Sequence, residues 1–96
     1  LEKNINIVNK LYESGKVNII LTTARANSYK EVTEEQLKKE NIKYHQIIYG
    51  LYHGKRIIIN DYAPTNPYKS CDAINIKRDS FDLEEMLKDS LGFDID

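Results

Sequence analysis

Two short polar clusters, each directly after an apolar stretch, are the residues of this chain best suited to chemistry. The first, Thr22-Thr23-Ala24-Arg25, follows the apolar residues 17–21. Hydroxyl groups beside exposed backbone N–H groups can hold phosphate oxygens, and an arginine adds a bidentate contact. A helix cap or turn with a surface arginine has the same composition, so the residues alone leave both interpretations open.

The second cluster is Asn60 and Asp61, directly after three consecutive isoleucines at 57–59. Magnesium prefers oxygen ligands and commonly takes one or two protein carboxylates, with water and substrate phosphate completing its octahedron. Asp61 suits such a ligand, and Asn60 can bind through its side-chain carbonyl or orient Asp61. An Asx-turn that closes a strand is the alternative.

Apolar strands must position both clusters. The β-branched run 57–59, bounded by charged residues, is typical of a strand buried on both faces, as in parallel sheets. Residues 17–21 predict a second strand. Ligands of open α/β sheets bind outside the carboxyl ends of strands, which is where both clusters fall. Residues 43–49 predict a third strand near a sheet edge, and residues 73–76 a short fourth one.

Three helices accompany these strands. The first spans 3–14 and ends at Gly15, and the second begins at Thr33. The residues expected on the apolar face of the first helix are Leu1, Ile5, Val8, Leu11 and Tyr12. Thr33 and Gln36 predict a capping box, with Val32 and Leu37 as its hydrophobic staple.

Asn41 is the expected stop of the second helix. The third helix is expected to begin at Asp79 or Ser80 and to end at Gly92. Its apolar face holds Leu83, Met86, Leu87 and Leu91. Helices alternating with strands predict an α/β fold with a mainly parallel sheet, in a single domain over residues 1–96.

The overall composition excludes several classes of protein. Lys plus Arg number 14 and Asp plus Glu 15 in 96 residues, a net charge of −1, which argues against nucleic-acid binding through a basic field. The chain holds no apolar run of about 18 residues, so no transmembrane helix or membrane partner is expected. A single cysteine, Cys71, excludes an internal disulfide and fits a reducing compartment such as the cytoplasm. Without an initiator methionine, the chain is expected to be a fragment or a processed form.

The remaining titratable residues give weaker signals. His45 and His53 have no Cys/His spacing typical of zinc and complete no Ser-His-Asp set. Asp94 and Asp96 form a D-x-D pattern, but it follows a helix end rather than a strand, so we interpret it as an acidic tail.

Four segments, taken in order, resemble the haloacid-dehalogenase-like superfamily: residues 19–25, 33–37, 43–45 and 57–61. The nearest likeness is to small phosphatase-like domains of capsule and sugar-nucleotide loci, and it covers residues 5–80. The resemblance implies a three-layer Rossmann-like fold and Mg²⁺-dependent phosphoryl transfer from a small phosphorylated sugar metabolite.

The resemblance also assigns residues. Thr23, with Thr22 beside it, would bind the transferred phosphate, and Asp61 would hold Mg²⁺. Asn60 departs from the family, which has an acidic pair there. Lys55 is the one candidate for the family lysine, although it lies unusually close to the strand.

The largest departure is the family nucleophile, a D-x-D motif at the end of a central amino-terminal strand, since nothing before residue 17 resembles it. We therefore expect a fragment or degenerate phosphatase, inactive as given. Its sheet is expected to close by pairing 17–21 with 56–60, or to recruit a strand from a homo-oligomer or from a missing amino-terminal segment. A non-catalytic phosphate-binding or oligomerisation module is the alternative.

Overall fold

A computed structural model of the chain describes residues 2–65, 70–78, 80 and 82–91. The elements are α1 (Glu2–Ser14), β1 (Ile20–Thr22), a 3₁₀-helix (Asn27–Tyr29), α2 (Lys30–Lys39), β2 (Gln46–Ile48) and α3 (Leu83–Leu91). The predicted mixture of helix and parallel strand is confirmed at this coarse level.

Helix α1 carries the hydrophobic core. Ile7 and Leu11, four residues apart and so on one helix face, are its buried side chains. The partly buried side chains packed against them are Val17, Ile19, Leu83, Leu87 and Leu91. Gly15 has φ 69°, a left-handed conformation that glycine adopts without a Cβ clash, and it ends the helix as predicted.

The predicted apolar face of α1 was wrong in one respect. It omitted Ile7, whereas Ile5, Val8 and Tyr12 are only half-buried. Leu1 lies outside the described residues. Ile7 and Leu11 face α3. The spacing of apolar residues within α1 does not reveal where α3 lies.

The sheet is a parallel pair of three-residue strands. Leu21 pairs with Ile47, and both side chains are half-buried on the face toward α2. Hydrogen bonding continues past the strand ends, because the Thr23 N–H donates to the Ile48 carbonyl at 3.0 Å and the Thr23 carbonyl accepts from Leu51 at 3.1 Å. The backbone after β1 is therefore held against the backbone after β2.

Asn9 joins α1 to the segment between α2 and β2. Its side-chain amide donates to the Asn41 carbonyl at 2.7 Å, and its side-chain oxygen accepts from the Lys43 N–H at 2.9 Å. An exposed ion pair between Glu13 and Lys43 lies beside them.

Helix α2 begins earlier than predicted. It starts at Lys30 after the 3₁₀ turn, and its N-cap, Tyr29, makes no side-chain cap bond. Thr33 and Gln36 therefore lie inside the helix, and the predicted capping box is wrong because both side chains bind Arg25 instead. The staple is wrong too, since the Val32 side chain is 53% exposed.

The end of α2 is as predicted. Asn41 has φ 57°, the Asn41 N–H donates to the Lys38 carbonyl, and the Ile42 N–H donates to the Leu37 carbonyl. These two bonds form a Schellman motif, in which asparagine tolerates the left-handed position.

Helix α3 packs against α1 through Leu83, Leu87 and Leu91, three of the four residues predicted for its apolar face. The fourth, Met86, is 38% exposed, so that part of the prediction is wrong. The Met86 N–H donates to the Asp82 carbonyl at 3.1 Å, so the helix begins after Asp82 rather than at Ser80. Asp79 and Gly92 lie outside the described residues. Across the described part of the chain, none of the helices has the length and apolar character needed to span a membrane.

The isoleucine strand is the main correction to the predicted fold. Residues 56–60 form no strand, and Ile57, Ile58 and Ile59 are 75%, 73% and 94% exposed. The expected pairing of 17–21 with 56–60 is therefore wrong, and residues 73–76 are also irregular. β-Propensity expresses packing against neighbours rather than an intrinsic preference. The two segments line one open cleft, but among the described residues neither has a hydrogen-bonded strand neighbour.

Candidate functional site

The Thr22–Arg25 cluster lies at the carboxyl end of β1, where the sequence predicts it. The Thr23 N–H bonds to Ile48, the last residue of β2, and the Thr23 carbonyl bonds to Leu51 beyond it. The Thr23 Oγ1 accepts from the Arg25 N–H at 3.1 Å, which makes a tight hydroxyl turn. The hydroxyl proton of Thr23 is not used in that bond, so the group can still donate to an anion.

Arg25 is held over α2. Its Nη1 donates to Thr33 Oγ1 at 3.1 Å and to Gln36 Oε1 at 2.9 Å, and Thr33 is the one polar residue classed as buried among the described residues. These bonds fix the plane of the guanidinium group. Because Nη1 carries two of its five N–H donors, three donors on Nη2 and Nε can meet a ligand.

An open cleft of about 580 Å³ lies between β1 and α2; we call it the β1–α2 cleft. Its polar part contains Thr22, Thr23, Arg25, Lys39 and Glu40. Its apolar part contains Leu21, Leu37 and Ile47. Two cationic side chains and one carboxylate leave a net charge of +1, which favours an anion with a small apolar or neutral remainder.

Asn60 and Asp61 lie elsewhere. Both are exposed, and the Asn60 side-chain amide donates to Ser70 Oγ at 3.2 Å. Asn60 lines a second cleft of about 510 Å³ that shares no residue with the β1–α2 cleft. The structure therefore does not bring the two predicted clusters into one cavity.

The fit of Asn60 and Asp61 to magnesium is poor in this arrangement. Within the described residues, no group of three or more His, Cys, Asp or Glu side chains can surround a metal ion. A magnesium ion that takes one carboxylate needs the substrate phosphate nearby to complete its octahedron. Here the hydroxyl and guanidinium groups suited to that phosphate line a different cleft, so the two residues alone do not form the implied site.

The structure gives His45 a structural role. Its Nδ1 accepts from the Ile19 N–H at 2.9 Å, and its ring stacks on Tyr12 with centroids 4.5 Å apart. It thus connects α1 with both strand segments. His53, Lys55 and Cys71 are exposed, and Asp94 and Asp96 lie outside the described residues.

Sequence reasoning missed the groups that hold Arg25. Thr33 and Gln36 are three residues apart and so share a helix face, a spacing that also fits a capping box. Their partner lies eight and eleven residues away along the chain, which local patterns do not reveal.

A second missed contact lies beside the sheet. The Tyr49 hydroxyl donates to Glu34 Oε2 at 2.9 Å. Partial burial, the hydrogen bond to Glu34, and the charges of Glu34 and Tyr44 together raise the pKa of Tyr49 to about 12. Tyr49 therefore stays neutral and joins β2 to α2 over the physiological pH range.

No protein-family model, curated protein or solved structure matches this chain.

Proposed function

We propose that the β1–α2 cleft binds the phosphate group of a small phosphorylated metabolite, with Thr22, Thr23 and Arg25 as its ligands. In this proposal the chain is a fragment or degenerate form of a haloacid-dehalogenase-like, Mg²⁺-dependent phosphatase, with that family's Rossmann-like fold in full or in part. The observation that carries it is Arg25, held by Thr33 and Gln36 beside two threonines at the carboxyl end of a parallel strand.

The chemistry of this arrangement suits phosphate. A guanidinium group binds phosphate oxygens through paired N–H donors, and its plane matters as much as its charge. Two bonds from one nitrogen already fix that plane, so little side-chain entropy remains to be lost when an anion binds. Thr23 adds a hydroxyl donor whose backbone is fixed by the strands.

The first experiment is calorimetric titration of the chain with inorganic phosphate and with a panel of sugar phosphates. We expect binding that weakens as salt rises. Arg25→Ala should weaken it at least tenfold, and the matched control Arg56→Ala, an exposed arginine beside the other cleft, should not. Equal affinities for both variants would exclude the β1–α2 cleft.

Arg25→Ala also removes two bonds to α2, so a second variant separates binding from folding. Thr23→Val removes one hydroxyl and keeps the shape of the side chain. It also removes the exposed bond from the Arg25 N–H to Thr23 Oγ1, which water can replace, so the circular dichroism spectrum should be unchanged and Tm should fall only slightly. The affinity for phosphate should fall. Unchanged affinity would remove Thr23 from the proposed ligands.

Phosphate release from p-nitrophenyl phosphate and sugar phosphates, with and without Mg²⁺, tests the catalytic part of the proposal. Turnover that needs Mg²⁺ and is lost in Asp61→Ala would support a phosphatase in which Asn60 and Asp61 approach the cleft. Turnover that Asp61→Ala leaves unchanged would remove Asp61 from the metal site.

A non-catalytic phosphate-binding module is the second candidate. The separation of Asn60 and Asp61 from the β1–α2 cleft favours it. It predicts phosphate binding without turnover, unaffected by Mg²⁺ and by Asp61→Ala.

A further inference from the structure

The three isoleucines at 57–59 form the longest apolar run that the described residues expose. All three are more than 70% exposed, and no backbone hydrogen bond among the described residues involves residues 55–61. The segment contains no proline and is β-branched at its centre. A segment with these properties has unpaired N–H and C=O groups and side chains suited to a strand, so it tends to pair with another strand.

We propose that residues 55–61 pair in antiparallel register with the same residues of a second copy of this chain and form a two-fold symmetric dimer. This interface is independent of phosphate binding, since the segment contributes no residue to the β1–α2 cleft.

The charges at the two ends of the segment, Lys55 and Asp61, favour a second copy as the partner and determine the register of the pair. In an antiparallel pair centred on Ile58, Ile58 lies opposite Ile58, Ile57 opposite Ile59, and Lys55 opposite Asp61. Two-fold symmetry makes the Lys55–Asp61 pair twice. A parallel pair in register would place lysine opposite lysine and aspartate opposite aspartate, and directly opposed like charges destabilise a sheet.

Two segments of the same chain compete as partners. Residues 71–75 line the cleft of Asn60 together with Ile58 but form no backbone hydrogen bond to the segment. The second competitor is the edge of β1 that has no strand neighbour among the described residues. Its three residues, Ile20, Leu21 and Thr22, carry no charge, so they offer nothing to either Lys55 or Asp61. The same segment of a second copy satisfies both charges and places each of the three isoleucines opposite an isoleucine.

Sedimentation velocity over a range of concentrations tests the dimer. We expect association of the 96-residue chain that weakens at least tenfold in Ile58→Lys. The matched control Val32→Lys places the same charge at an exposed valine of α2 and should associate like the parent chain. A chain that stays monomeric at all concentrations, or equal effects of the two variants, would overturn the proposal.

Charge reversal tests the register. Lys55→Asp alone places aspartate opposite Asp61, and Asp61→Lys alone places lysine opposite Lys55, so each variant should dimerise at least tenfold more weakly. An equimolar mixture of the two variants makes both pairs oppositely charged and should restore dimerisation as a heterodimer. Failure of the mixture to restore dimers would overturn the antiparallel register.

Cross-linking adds a direct distance measurement. With Cys71→Ser as background, Ile58→Cys brings two thiols opposite each other across the two-fold axis, within the range that a disulfide spans. We expect mild oxidation to give a covalent dimer, whereas Val32→Cys in the same background should give little. Equal cross-linking of the two variants would count against the interface.

Discussion

Two apolar runs of this chain have similar composition and opposite surroundings. Residues 17–21 contain two isoleucines, a valine and a leucine, and residues 57–59 contain three isoleucines. The first run packs Val17 and Ile19 against α1 and places Leu21 beside α2. The second lies in an irregular segment with its side chains in solvent.

The difference shows what turns an apolar run into a strand. Residues 20–22 have a parallel neighbour that forms hydrogen bonds, and Val17 and Ile19 just before them pack against the core of α1. Residues 57–59 lack both among the described residues. A strand gains stability from cross-strand pairs and burial. Side chains of the same types can therefore form a strand in one place and remain exposed in another.

The largest expected difference lies in core truncation. Leu11→Ala removes a buried side chain of α1 and should lower the free energy of unfolding by about 2–5 kcal/mol, a large fraction of the stability of a small domain. Ile59→Ala, at an exposed position, should change it by less than about 0.5 kcal/mol. Urea denaturation at a concentration where the chain is monomeric measures both, and equal losses would contradict the contrast between the α1 core, on which the first run packs, and the exposed second run.

A smaller difference in stability is expected when Gly15 and Gly54 are each replaced by alanine. Gly15 has φ 69° with no atom within 4 Å of an added Cβ, so Gly15→Ala costs only backbone strain, about 1 kcal/mol. An added Cβ at Gly54 meets the Tyr52 ring at 3.2 Å, but that ring is 91% exposed and free to move aside. Thermal denaturation should show a clear drop in Tm for Gly15→Ala and little change for Gly54→Ala. A larger drop in Tm for Gly54→Ala would mean that residues 52–54 are more tightly packed than they are in the structure.

The smallest expected effect is a pH dependence of the stability that Tyr49 contributes beside the β1–β2 pair. The pKa of Tyr49 is raised to about 12 in the folded chain, against about 10 when unfolded. Its stabilising contribution is therefore complete below about pH 10 and is lost as pH rises through about 12. The difference in Tm between the parent chain and Tyr49→Phe should be constant up to pH 10 and then narrow.

Glu34→Gln is the matched control for that measurement. It keeps a hydrogen-bond acceptor for Tyr49 and removes the negative charge, so the pKa of Tyr49 in the folded chain should be raised less. The narrowing should again begin near pH 10, where the unfolded chain ionises, but it should be smaller and should level off at a lower pH than in the parent chain. An identical profile would mean that the Glu34 charge does not act on Tyr49.

Much of the helical structure follows from local sequence signals. The span of α1, its end at Gly15, the leucine face of α3 and the stop at Asn41 all depend on residues within one or two helical turns. Two of the four predicted strands, 17–21 and 43–49, also match observed strands approximately, although β1 and β2 have only three residues each.

The wrong predictions share a physical cause, which is dependence on a distant partner. Thr33 has the spacing of an N-cap because Gln36 follows three residues later, but Arg25 binds both side chains. The composition of residues 57–59 predicts a buried strand, but burial requires another element that composition does not specify. The candidate phosphate ligands at 22–25 are close in sequence and remain together, whereas their combination with Asp61 required an approach that the structure does not contain.

The two hydrogen bonds of Asn9 have a consequence for how the molecule opens. The amide hydrogen of Lys43 is bonded to the Asn9 side chain of α1 rather than to the sheet. It can exchange with solvent only when that hydrogen bond breaks. Its protection factor therefore reports the detachment of α1 separately from the opening of the β1–β2 pair, whose own amides report the latter. Hydrogen exchange at this single site would show whether the helix and the sheet open as one cooperative unit or as two.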